Sequence, residues 1–238
     1  MKMGRLLKGF FMLPLKFVKA VTGGGWVTKN KLSVSACLSY MKNKYGIDFS
    51  IFEGEKIHNL TWTILEIYVE CADYAGKKIL VMEERLNNGE KLVFRDNFLA
   101  VKYHEQTKAM AEKLASEVYG ECKVLCEVMN NNVQPDEFDK TTTFEEFCST
   151  RGSNIWFEVL LPTYHSDAKK EEELKQLEQK CADSRFACIC DVYYAVDEKA
   201  YESISTHAEL MQHGSKLYKV AGKFMSRNSC SDFFETWR

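Results

Sequence analysis

The stretch "TWTILEIYVECADYAGKKILVMEERLNNGEKLVF", residues 61–94, decides the fold class. Its first twelve residues, 61–72, are dense in β-branched and aromatic side chains and read as a strand. Ala75–Gly76 supplies a tight turn, and a second strand follows through 79–84. Asn87-Asn88-Gly89 is a strong hairpin signal, with Lys91–Phe94 as the returning strand. These links are too short to carry a crossover helix, so neighbouring strands must run antiparallel.

Upstream, "LSVSACLSYMKNKY" (32–45) sets Leu32, Ala36 and Tyr40 at i, i+4 and i+8, with Leu38, Met41 and Tyr45 adding to the face. That spacing predicts a helix, and Gly46 is its stop. "IDFSIFEGE" then alternates Ile47, Phe49 and Ile51 against Asp48 and Ser50, which predicts a strand. Downstream, Asp96 or Asn97 caps a helix running from Phe98 to Tyr119, with Met110, Leu114 and Val118 on one stripe and Gly120 as stop. "CKVLCEVM" (122–129) is the next strand. Tyr45–Gly46 and Tyr119–Gly120 each end a helix before a strand, which either records a duplicated α–β unit or reflects the common use of glycine as a stop.

The polar run "NNNVQPDEFDKTTT" (130–143) is the best boundary. Beyond it, Thr143 with Glu146 forms a capping-box pattern, "NIWFEVLLP" reads as a strand, and Ser166 or Asp167 caps the charged helix "AKKEEELKQLEQKCA" with Leu174 and Leu177 inward. "RFACICDVYYAV" is a strand, Asp197 caps a helix through "DEKAYESISTHAELMQ", and "KLYKVAGKFM" is a last strand. The expected class is α+β: a mainly antiparallel sheet with helices packed on one face, two related halves as an open option, preceded by an N-terminal amphipathic helix. The expected organisation is residues 1–25 as helix and glycine hinge, then 26–238 as globular domain, with sub-halves 26–130 and 131–238.

Charge is unevenly placed. Residues 1–31 hold Lys2, Arg5, Lys8, Lys16, Lys19, Lys29 and Lys31 and no acid, while all 34 acidic side chains lie beyond them. A basic arm on an acidic body points to an anionic partner for the arm. No nucleic acid is expected as a partner of the body, because phosphate contacts need clustered Lys and Arg. Nine cysteines, with no CxxC pair, fit reduced thiols in a cytoplasmic setting better than a disulfide framework.

Within "GRLLKGFFMLPLKFVKAVTGGG" (4–25) the longest apolar run is FFMLPL, far short of the about 20 residues a spanning helix needs. Placed on a helix, Arg5, Lys8, Lys16 and Lys19 fall within an arc of about 80°. Leu6, Leu7, Phe10, Phe11, Leu13, Phe17 and Val18 fall opposite them. This is a basic amphipathic pattern. Pro14 kinks it, and Gly23, Gly24 and Gly25 end it in a hinge. Two occupants of the apolar face stay open: an anionic membrane surface, or a protein groove on this body or a second copy of the chain.

Candidate chemistry elsewhere is thin. Cys188 and Cys190 share a strand face, with Cys181 on the preceding helix, but i, i+2 spacing suits core packing better than zinc. "FCSTRGS" (147–153) places Arg151 too near Cys148 for a phosphate-binding cysteine loop, and "TGGGWVTKNK" (22–31) lacks the P-loop frame. The five histidines are dispersed. Glu83–Glu84, Glu145–Glu146 and Glu171–Glu172–Glu173 read as solvated surface, and Trp62, Trp156, Tyr193 and Tyr194 as core on strands. No cofactor or metal is expected.

"CLSYMKNKYGIDFSIFE" and "FRDNFLAVKYHEQTKAMAEKLASEVYG" together resemble uncharacterised small α+β proteins of Gram-positive gut bacteria. Tyr40, Lys44, Tyr45, Gly46 and Phe49 match one recurring pattern of that group, and Asp96, Asn97, Leu99, Lys102 and Tyr103 match another, with Phe98 in place of a tyrosine. The resemblance spans roughly residues 35–125 and implies no activity. The expectation is therefore a non-catalytic binding or accessory protein, cytoplasmic and peripheral to the inner membrane face or held on a partner by residues 4–21. An enzyme with a site assembled on the sheet face is the alternative, and a structural protein that oligomerises through the N-terminal helix is another.

Overall fold

The computed structural model describes residues 25–52, 58–59, 64–86, 91–128, 137–150, 155–162, 169–213 and 218–226. The chain is α+β with mainly antiparallel sheets, and it divides into two compact units. One takes residues up to Val101 together with Asn131–Thr141; the other takes Lys102–Asn130 and the rest from Thr142.

In the first unit, helix α1 (Gly25–Tyr45) is followed by β1 (Ser50–Ile51), β2 (His58–Asn59), β3 (Ile64–Glu70), β4 (Ile79–Leu86) and β5 (Lys91–Asp96). β3, β4 and β5 form the antiparallel meander expected from residues 61–94, and β1 and β2 pair with the other edge of β3. The pleat turns Leu65, Ile67, Val69, Ile79 and Val81 inward, as period-two alternation requires. Helix α1 starts at Gly25, so residues 25–31 are helical and Gly25 is not part of a hinge. The buried stripe of α1 is Ser33, Cys37, Met41 and Tyr45: Met41 and Tyr45 lie inward as expected, while Ala36 and Tyr40 are half-buried beside the stripe and Ser33 and Cys37 take its centre. Gly46 stops the helix at φ 74°, a left-handed conformation that a side chain resists, and its N–H bonds the Lys42 carbonyl at 2.7 Å.

The second unit contains α3 (His104–Tyr119), β6 (Lys123–Val128), α4 (Phe144–Ser149), β7 (Ile155–Leu161), α5 (Lys170–Asp183), β8 (Cys188–Ala195), α6 (Glu198–Ser203), α7 (His207–His213) and β9 (Tyr218–Ser226). Its sheet order is β6-β7-β8-β9, with β7 and β8 parallel and the outer pairs antiparallel. The parallel pair needs a crossover, and α5 supplies it. Leu174, Leu177, Cys181 and Ala182 of α5 are buried, so the sequence reading of its inward face holds. Helix α5 begins at Lys170, with Lys169 as an N-cap that makes no side-chain bond; Ser166 and Asp167 lie outside the described residues.

The helix expected from Phe98 to Tyr119 is in fact two. A short α2 (Phe98–Lys102) ends at Tyr103, where α3 begins. Tyr103 is pinned by tertiary contacts: its hydroxyl donates to the Thr142 carbonyl at 2.7 Å, and its ring lies 5.6 and 5.5 Å from Phe144 and Phe147. Likewise "DEKAYESISTHAELMQ" forms two helices. Asp197 accepts from Ala200 N–H at 2.7 Å to start α6, as expected, and a second start at Thr206 opens α7. Thr143 and Glu146 form the full capping box before α4.

Candidate functional site

The residues expected to bind a membrane or partner, Arg5, Leu6, Leu7, Lys8, Phe10, Phe11, Leu13, Lys16, Phe17, Val18 and Lys19, lie outside the described residues. What the structure does place are four polar clusters, two in each unit.

The first gathers on Asp96, at the end of β5. Its carboxylate is fully buried. Oδ2 accepts from the Tyr40 hydroxyl at 2.8 Å and Lys44 Nζ at 2.9 Å; Oδ1 accepts from the Tyr45 hydroxyl at 2.7 Å and Phe98 N–H at 3.0 Å. Lys44 is itself only 8% exposed. A buried ion pair stands only when its remaining lone pairs and protons are satisfied, and these four donors do that. Burial, and then the Asp96 charge, push the Tyr45 phenol well above its ordinary range. Neighbouring Asn97 accepts from Leu80 N–H at 2.8 Å and returns its own N–H to the Leu80 carbonyl at 3.1 Å. Rings pack beneath: Phe98 lies 4.5 Å from Tyr45, 5.4 Å from Phe49 and 5.7 Å from Tyr74. Tyr40, Lys44, Tyr45, Phe49, Asp96 and Phe98 thus form one packing and charge centre.

The second cluster corrects a sequence expectation. Glu83 is not solvated: it is fully buried, because alternation along β4 turns it toward α1 while Glu84 stays half-exposed. Its Oε1 accepts from Arg85 Nε at 2.6 Å and Ser33 Oγ at 3.2 Å. Arg85 also donates to Ser33 at 3.0 Å. Cys37, on the same helix stripe, is pushed up to about 12 by burial and then by the charges of Glu83 and Asp96.

In the second unit, Glu158 of β7 and Asp191 of β8 are register partners, and both are buried. His207, at the start of α7, sets Nδ1 2.6 Å from Glu158 Oε1 and its ring 6.0 Å from Trp156. Tyr193 donates to Asp191 at 3.4 Å. A carboxylate that holds an imidazole in this way fixes the ring's orientation, the arrangement used where a histidine must hand over a proton. The fourth cluster is Lys123. Its ammonium donates to the carbonyls of Tyr201, Glu202 and Ile204 and lies 4.7 Å from the Tyr201 ring. It thereby closes the C-terminal end of α6, where carbonyls lack helical partners.

Among the described residues, Cys37, Cys71, Cys148, Cys181, Cys188 and Cys190 are buried, and Cys122 and Cys126 are half-buried. Cys181, Cys188 and Cys190 are buried, as the strand reading required. Burial drives Cys190 well above its ordinary range, Cys148 up to about 12 and Cys122 up to about 11. Those shifts disfavour the thiolate a nucleophile needs. Among the described residues no group of three or more His, Cys, Asp or Glu side chains is placed to hold a metal ion, and no helix is long and apolar enough to cross a membrane. His104 sits at the start of α3, 3.9 Å from Glu105 and apart from the Glu158 cluster. Sequence reading missed Asp96, Glu158 and Asp191 as buried acids; for Glu158 and Asp191 the available signal was a lone carboxylate inside a strand apolar on both sides.

No family model matches the sequence, and no curated protein matches it. Among solved structures, the chain is similar to a DUF5037 family protein from Ruminococcus gnavus ATCC 29149, with 14% identity, 85% of this chain and 94% of that chain covered, and a TM-score of 0.40. At that level the likeness carries no argument about the site.

Proposed function

We propose that this chain is a non-catalytic binding or accessory protein that attaches to an anionic membrane surface through residues 4–21. The observation that carries the reading is the pattern of that segment: Arg5, Lys8, Lys16 and Lys19 on one flank and Leu6, Phe10, Phe11, Leu13 and Phe17 on the other. An interfacial helix of this kind buries its apolar flank at the acyl boundary, while each basic side chain near the surface contributes about 1 kcal/mol against anionic lipid. The engagement of Asp96 and Glu83 with their own unit, and of the cysteines with the core, supports a binding role over a catalytic one. Among the described residues, the Glu158–His207 contact favours an enzyme instead.

Co-sedimentation with vesicles tests the proposal. The full chain is expected to sediment with phosphatidylglycerol-containing vesicles and less with pure phosphatidylcholine, and added salt should weaken the binding. A shortened chain beginning at Gly24, which keeps α1 whole, should stay in the supernatant. Phe10→Glu with Phe17→Glu in the full chain should do the same. Equal sedimentation of full and shortened chains removes the membrane role. Loss of an assembly on shortening, seen by light scattering without vesicles, would assign the segment to oligomerisation.

A further inference from the structure

We propose that the outer edge of β6 is a binding site for an extended peptide segment of a partner protein, which adds to the sheet as a further strand. The inference is independent of residues 4–21.

Strand β6 ends the order β6-β7-β8-β9, so among the described residues its one strand neighbour is β7. Every second residue of such a strand turns its N–H and C=O outward, where only water or another extended backbone can meet them. Proteins usually blunt these edges with a proline, a bulge or a charged side chain lying along the edge. In "KVLCEV" there is no proline, and its register with β7 runs unbroken from Lys123 to Val128. The charged residue at its start is turned aside, because Lys123 is held by the carbonyls at the end of α6.

A cleft of about 620 Å³ follows this edge. Its floor is Cys122 to Leu125; one wall is the flank of α3 at Ala109, Glu112, Lys113 and Ser116, and the other is Ser205 in the α6–α7 connection. The wall residues Ala109, Ser116 and Ser205 are small and exposed, which leaves the width for a chain. On the wall, Glu112 lies 3.8 Å from Lys108, and on the floor the Lys123 ammonium is taken up by the carbonyls of Glu202 and Ile204. Four floor residues at about 3.3 Å each match a peptide of about four to five residues. Backbone pairing sets its extended form, and Val124 favours an uncharged β-branched residue opposite it. Walls on both sides of the edge favour a lone segment over a second copy, whose β6 carries the same two walls.

Because backbone groups do the reading, a generic strand is a fair probe. The full ¹⁵N-labelled chain is titrated with acetyl-Thr-Val-Thr-Val-Thr-amide and with the same peptide N-methylated at alternate residues. Amide shifts should be confined to residues 109–116, 122–126 and 205, and the N-methylated peptide should not produce them. Ala109→Trp, a filler placed on an exposed flank, should weaken binding by about tenfold with circular dichroism unchanged. Ser205→Trp serves the same end from the other wall if the first variant misfolds. No response at millimolar peptide, equal response to both peptides, or sedimentation showing that the edge pairs with another copy overturns the proposal. None of these readouts involves lipid, so this proposal and the attachment role fail separately.

Discussion

Asp96 is a buried charge that accepts four hydrogen bonds within the first unit. Asp96→Asn removes the charge that Lys44 faces and leaves a nearly buried ammonium beside a neutral amide. Breaking one partner of a buried pair costs about 3–5 kcal/mol. Urea unfolding of the variant should therefore show a midpoint far below that of the parent, and adding Lys44→Met should recover part of the loss. Glu178 makes the opposite case. It is buried on α5, and burial raises its carboxyl above the ordinary value of 4.5. The unfolded chain ionises there first while the fold holds the proton, so this residue lowers stability as pH rises from 4.5 through its folded value. Glu178→Gln should stabilise the protein at neutral pH by about 1 kcal/mol and leave it unchanged near pH 3. Neither role was legible in the sequence. Asp96 read as a helix-start residue, which it partly is through Phe98 N–H, but nothing local announces that Tyr40, Lys44 and Tyr45 lie above it. Glu83 was misread for the same reason, since its parity on β4 matters only once α1 is known to cover that face.

Elements were easier to read than their ends. The meander of β3, β4 and β5 follows from alternation and turn residues, both local properties. The Thr143–Glu146 box is local too, and Thr143→Ala should cost about 1 kcal/mol, measured as a lowered unfolding midpoint. A similar signal at Thr206 and Glu209 was in plain view and marks a second helix start: Thr206 Oγ1 accepts from Glu209 N–H, and Glu209 accepts from Thr206 N–H. The break at Tyr103 could not be read, because it depends on Thr142, Phe144 and Phe147, about forty positions away. On α1 the inward Met41 and Tyr45 were readable, but Ser33 and Cys37 were not, because small polar and thiol side chains carry little periodic signal, yet they face the Glu83 cluster.

At the scale of the whole molecule, the cysteines report on folding. Burial pushes Cys37 and Cys148 up to about 12 and Cys122 up to about 11, against 9.0 for a free thiol. Between those limits the unfolded chain ionises while the fold stays protonated, so stability falls as pH rises from 9 toward 12. At pH 8 Ellman's reagent should find Cys37 and Cys148 only as the chain opens, with a rise in reactive equivalents that tracks the urea transition. Fast modification of Cys37 or Cys190 in the native chain would contradict their burial. Fold class and cysteine burial were readable because both rest on composition and period. The division of the chain was not: the polar run at 130–143 marks a boundary, but Asn131–Thr141 belongs with the first unit, where Phe138 is buried and Lys140 N–H bonds the Lys44 carbonyl at 3.3 Å, and Lys102–Asn130 belongs with the second.

That return of the chain has a consequence for synthesis. A ribosome moving along the message delivers everything up to Val101 and then a further thirty-odd residues before Phe138 emerges. The earlier body must wait, one aromatic plug short, while material belonging to its sister is already being extruded. Nascent chains stalled before and after Thr141 should differ in how readily a protease trims the region around Tyr45.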